Sequence, residues 1–164
     1  IAVGSTLPIR RWAPEWVPLP SHWSLSRSRD ADMIRQRAGA PDARHAVDVI
    51  RTIDGDTFEA RVHLAPGPDL TTRVRLRGID APELKSRCPA FRAAAREAQD
   101  QLTALISDQQ RVSLVDISGD KYFGRVVATL VLSDGRSPAD LLLEAGLVEP
   151  YAGKAKPRHS CPVT

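Results

Sequence analysis

A chain of 164 residues, 42% apolar and 26% charged, is long enough for one domain with an appendage and has an ordinary globular composition. No apolar run approaches the roughly 20 residues that a membrane-spanning helix needs. The net charge of +3 resides in residues 1–45, with seven arginines against four acids; the rest balances to zero. Bulk basicity is therefore excluded as a source of nucleic-acid binding in the folded part, where a few placed arginines must act.

Residues 1–45 hold all three tryptophans (Trp12, Trp16, Trp23), together with Pro8, Pro14, Pro18, Pro20 and Pro41. Neither a period of 2 nor one of 3.6 persists there, which predicts an irregular, flexible or loosely docked arm. Its arginines and tryptophans are candidates for touching nucleic acid or a membrane surface.

From Ala46 the pattern sharpens. Val47–Ile53 reads as a strand broken by Asp54-Gly55-Asp56, and Thr57–Leu64 then alternates at period 2. Pro66-Gly67-Pro68 marks a turn. Thr72–Arg77 sets arginines on one face and Val74 and Leu76 on the other. Phe91, Ala94, Ala98, Leu102, Leu105 and Ile106 recur at helical spacing, predicting an amphipathic helix over Pro89–Ser107. Val112–Ile117 and Val126–Leu132 are two further strands. Ser137, Pro138 and Gly146 bracket a short helix over Pro138–Ala145. Five strands with a helix between the third and fourth predict an α+β, mainly β fold: a five-stranded OB-fold barrel with two helices. The division expected is a 1–45 arm, a 46–151 domain and an irregular 152–164 tail.

Four clusters carry chemistry. Asp54-Gly55-Asp56-Thr57 is either a plain turn or a device that presents the Asp56 carboxylate. In Arg75-Leu76-Arg77-Gly78-Ile79-Asp80-Ala81-Pro82-Glu83, alternation puts both arginines on one side of a strand, with Asp80 and Glu83 just past its end. Carboxylates beside a guanidinium suit phosphodiester hydrolysis, since acids hold a hard cation or accept a proton from water while arginine grips phosphate. Asp120-Lys121-Tyr122-Phe123-Gly124-Arg125 is a turn that offers a second guanidinium. Gly146–Tyr151 stops a helix and offers an aromatic ring to a base.

Taken together, these clusters resemble the staphylococcal nuclease (thermonuclease) family over roughly residues 46–151. Its pattern runs Asp-Gly-Asp-Thr, then Val-Arg-Leu-x-Gly-Ile-Asp-x-Pro-Glu, a helix, an Asp-x-Tyr-Gly-Arg-like turn, and a Gly-Leu-Ala-like helix end with a nearby Tyr. The resemblance implies a calcium-dependent endonuclease acting on DNA or RNA with little sequence specificity, leaving 3′-phosphate ends. Asp56 and Asp80 would bind Ca2+ with the carbonyl of Ala81, and Glu83 would be the general base. Arg75 and Arg125 would hold the scissile phosphate, while Lys121, Tyr122 and Tyr151 would flank the nucleotide. The alternative within the same family is a non-catalytic OB-fold module that binds nucleic acid or protein.

This sequence departs from the family pattern in two places. Tyr122-Phe123-Gly124 has one residue more than the family's Tyr-Gly, leaving either Tyr122 or Phe123 to fill the aromatic position. The chain also stops where a long C-terminal helix would stand. Cys88 and Cys161 allow a single intrachain bridge, which would pin the tail, or are two unrelated thiols. The four histidines show no zinc-ligand spacing beyond His159-Ser160-Cys161. Ile1-Ala2-Val3-Gly4 reads as the remnant of an export signal or as an arbitrary boundary. With the resemblance, it gives the expectation of a secreted or periplasmic monomer.

Overall fold

The structure, a computed structural model, describes residues 22–162, with side chains from residue 28 on. In chain order the elements are α1 (His22–Arg37), β1 (His45–Thr52), β2 (Thr57–Val62), β3 (Leu70–Leu76) and β4 (Ile79–Asp80). There follow α2 (Pro89–Ser107), β5 (Val112–Gly119), β6 (Arg125–Val131), α3 (Pro138–Glu144) and β7 (Glu149–Pro150). Five strands close a barrel in the order β1-β2-β3-β6-β5, while β4 and β7 form a separate two-stranded ribbon. Every barrel pairing is antiparallel except β3 with β6, which runs parallel. The five-stranded OB-fold barrel expected from the alternation is what forms.

Period 2 decides which side chains fill the barrel. Phe58, Ala60 and Val62 of β2, Val74 and Leu76 of β3, Leu114 of β5, and Val126, Ala128 and Leu130 of β6 are fully buried. One face of α2 covers this core with Ala95, Ala98, Leu102 and Ile106. That spacing of 3, 4 and 4 is the stripe a surface helix needs.

The expectation of an irregular arm through residue 45 is corrected by α1. This helix buries Ala31 and Ile34, with Ala38 buried just past its end, and it packs against β3, β5 and β6. Two alanines and one isoleucine among Arg, Asp and Gln make too thin a stripe for periodicity to register. Helices of this kind are stabilised by docking rather than by propensity. At its C-terminal end Arg37 donates to the carbonyls of Leu64, Pro66 (2.7 Å) and Pro68 (3.4 Å) in the β2–β3 loop. Ala38 O and the His45 ring, 2.7 Å apart, tie the helix to β1. The motif-poor segment that holds Trp12, Trp16 and four of the prolines lies outside the described residues, as does the Trp23 side chain.

His63 closes the edge of the β1–β2–β3 meander. Its Nε2 lies 2.8 Å from Asp48 Oδ2 and its Nδ1 lies 2.9 Å from Asp69 Oδ2. Carboxylates only accept hydrogen bonds, so both ring nitrogens must carry protons. The hydrogen bond to Asp69, reinforced by Asp48, therefore raises the His63 pKa above the usual 6.5. A raised histidine pKa in the folded state contributes stability below 6.5, and that contribution is lost as pH rises through the folded value. Because the His63 side chain is 35% exposed and both carboxylates are more exposed still, solvent screening keeps the effect small. From pH 6 to 9 the parent's Tm should fall by about 1–3 °C more than that of His63→Gln. Parallel melting curves for the two proteins across that window would remove the clasp from the account.

Candidate functional site

The site begins with strand geometry. In the parallel ladder Arg73 lies opposite Arg125 and Arg75 opposite Val127. Val74, Leu76, Val126 and Ala128 point inward and are buried, so Arg75 and Arg125 share the outer face. Strand rise and spacing put their Cα atoms about 8 Å apart, close enough for two long guanidinium side chains to meet one phosphate.

The carboxylates arrive from two turns beside them. Gly55 lets the Asp54-Gly55-Asp56 turn lie flat against its neighbours. A Cβ there would stand 2.6 Å from Ala98 Cβ and 2.9 Å from Ala81 Cβ. The turn is held by Asp54 Oδ1, which accepts the Asp56 N–H at 3.1 Å. Asp56 Oδ1 accepts from the Thr57 hydroxyl at 2.8 Å, and its Oδ2 from the Ala81 N–H at 2.9 Å. Gly78, at φ +84°, reverses the chain between β3 and β4 and sets Asp80 just past Arg75. One Arg75 nitrogen then donates to Asp80 Oδ1 at 3.0 Å and reaches Asp56 Oδ2 at 3.5 Å.

The remaining predicted residues line the same cleft, whose volume is about 860 Å³. Glu83 faces it as an exposed side chain. Among the described residues, no hydrogen bond or ion pair engages its carboxylate. Arg125 is held by Asp120 and lies 4.8 Å from the Tyr122 ring, over which the Lys121 ammonium also sits, at 5.2 Å. Tyr122 therefore fills the aromatic place at the cleft. Phe123 does not line it and stands 97% exposed on the turn. Tyr151 arrives through the pairing of β7 with β4 and donates its N–H to Gly78 O at 2.9 Å. Its ring centroid lies 4.9 Å from the Arg75 guanidinium carbon. Arg77 also lines the cleft but is engaged elsewhere, with Ser118 Oγ at 2.6 Å and Asp116 at 3.0 Å.

Three side chains of the site were not singled out from the sequence. Asp54 stands in the sequence only as part of a turn, yet burial, together with the adjacent Asp56 charge, pushes its pKa up to about 6. Asp120 fixes Arg125. Lys156, on the tail, places its ammonium 2.6 Å from Asp80 Oδ1. Burial pulls the Lys156 pKa down, but the bond to Asp80 and the charge of Asp56 outweigh this and hold it above the ordinary lysine value. The tail itself, with no helix or strand over residues 151–162, is pinned by a disulfide between Cys88 and Cys161. Of the two readings of the cysteines, the bridge is the one that forms.

The donor set fits a hard divalent cation. Asp56 and Asp80 meet at one guanidinium nitrogen, the backbone of Ala81 adjoins them, and every candidate donor is an oxygen. Among the described residues, no three or more Asp, Glu, His or Cys side chains form a ready-made metal cluster. Only two carboxylates converge here, and Glu83 stands apart from them, free for another task.

A family model described as "Staphylococcal nuclease homologue" matches residues 73–160, more than half of the chain. No curated protein matches it. Among the described residues, no helix is long and apolar enough to cross a membrane.

Proposed function

The chain belongs to the staphylococcal nuclease family, and from that membership we propose that it is a calcium-dependent endonuclease cutting phosphodiester bonds of DNA, RNA or both with little sequence specificity. The observation that carries this reading is the meeting of Asp56, Arg75, Asp80, Glu83 and Arg125 around one cleft. A non-catalytic module has no need for an unengaged carboxylate in a cleft that two arginines also line.

In the proposed mechanism Asp56, Asp80 and the Ala81 carbonyl would hold Ca2+. When bound, the ion polarises the phosphate and shields it from the carboxylates. Arg75 and Arg125 grip the non-bridging oxygens and meet the charge that grows as phosphorus becomes pentacoordinate. Glu83 accepts a proton from the attacking water, the new P–O bond forms, and the opposite P–O bond breaks. The leaving 5′-oxygen takes a proton from solvent and departs with its fragment, and the phosphate stays on the 3′-oxygen of the other fragment. Lys121, Tyr122 and Tyr151 flank the nucleotide, the aromatic rings stacking on bases and thus indifferent to sequence. The Cys88–Cys161 bridge supports an oxidising compartment, secreted or periplasmic.

Digestion of plasmid DNA and of RNA, with Ca2+, with Mg2+ and with excess chelator, tests the reading. Cleavage should appear with Ca2+ and vanish with chelator, because metal-free Asp56, Asp80 and Glu83 repel a polyanion in a domain of no net charge. Cleavage indifferent to chelator would exclude the proposed metal site. Binding without cleavage under every condition would favour the non-catalytic module.

A further inference from the structure

Asp80 Oδ1 accepts from two cations at once, Arg75 at 3.0 Å and Lys156 at 2.6 Å. A carboxylate oxygen has two in-plane lone pairs, so this oxygen is fully engaged, and a metal ion must displace one partner to use it. Arg75 is the harder to move. Its side chain is 11% exposed, it also reaches Asp56, and it stacks on Tyr151. Lys156 is 45% exposed and sits on a segment without helix or strand. What keeps it near is the Cys88–Cys161 bridge, anchored at the buried N-cap of α2 only five residues further on. The hydrogen bond between His159 Nε2 and Glu149 Oε2, at 3.0 Å, adds a second fastening.

We propose that Lys156 is a built-in competitor of the divalent cation for Asp80, held at high local concentration by the disulfide-pinned tail, so that the tail sets the metal affinity of the site. This rests on the calcium reading above. Tethering acts through effective concentration: the closer the anchor, the more often the ammonium reoccupies the oxygen. A metal ion entering beside a retained ammonium also meets like-charge repulsion, which grows with the ion's double charge.

Calorimetric titration of the full chain with CaCl2, in the absence of nucleic acid, tests the proposal. Lys156→Met should bind Ca2+ about tenfold more tightly than the parent, the size of one close charge interaction at the protein surface. Lys156→Arg should stay near the parent. Cys161→Ser should tighten binding part of the way, and the double variant should bind no more tightly than Lys156→Met alone, because both changes act through one group. A Lys156→Met affinity within twofold of the parent overturns the proposal, whatever the cysteine variant does. Additive gains in the double variant, or no gain in Cys161→Ser, overturn the role of the bridge. Failure of every protein to bind Ca2+ removes the metal reading itself, and this inference with it.

Discussion

Glu83→Gln should lower turnover on DNA and RNA by about 10²–10⁴-fold, the loss expected when a placed general base is removed, while nucleic-acid affinity and melting temperature stay near those of the parent. The structure makes this substitution unusually clean. Glu83 is exposed at the cleft, and among the described residues its carboxylate has no hydrogen bond or ion pair for an amide to break. Its backbone carbonyl, which accepts the Ser86 N–H at 3.1 Å, is untouched by the change. Glutamine keeps the size and shape of the side chain while removing its negative charge and its capacity to take a proton. Single-turnover cleavage measured beside filter binding separates the two effects. A variant that cleaves at the parent's rate would take Glu83 out of the mechanism. One that loses binding in proportion to activity would make it a substrate contact instead.

What could be read from the sequence follows from how locally each feature is encoded. The barrel strands announce themselves because β2 and β3 alternate at period 2, and α2 because its apolar residues recur at helical spacing. The Arg75–Glu83 stretch was legible for the same reason: an arginine-bearing strand edge and the acids beyond it are contiguous in the chain. α1 was not legible, because among the described residues Ile34 is the one large apolar side chain it buries and its stability comes from docking on β3, β5 and β6. The pairing of β7 with β4 spans two residues on each side, too short to leave a pattern, yet it carries Tyr151 to Arg75 and starts the tail toward Asp80. Lys156 followed from that path and from the bridge, neither of which has a local signature. The extra residue in Tyr122-Phe123-Gly124 was ambiguous as a string. The turn resolves it by directing Tyr122 against Arg125 and Phe123 into solvent.

Arg75 is where structural and chemical roles coincide, so its removal should be visible in two independent measurements. Arg75→Met should reduce cleavage by about 10²–10³-fold, the usual cost of losing one donor to developing transition-state charge. Without metal it should also melt earlier, because Asp56 and Asp80 are left facing each other with Lys156 as their remaining counter-charge. Breaking a buried pair typically costs about 3–5 kcal/mol; with Lys156 still present and the cleft open, about 2–4 kcal/mol is expected. Calcium should reverse much of that loss, since an ion that binds only the folded state stabilises it by mass action, and the vacated carboxylates bind it more strongly. The Tm increase on adding CaCl2 should therefore be larger in Arg75→Met than in the parent. Arg75→Lys should recover most of the stability but little of the activity, because an ammonium supplies the charge without the planar fork that spans a phosphate and two carboxylates. Equal calcium-induced shifts in parent and Arg75→Met would mean that Asp56 and Asp80 do not bind the ion. Full activity in Arg75→Lys would mean that charge alone, not the guanidinium geometry, holds the scissile group.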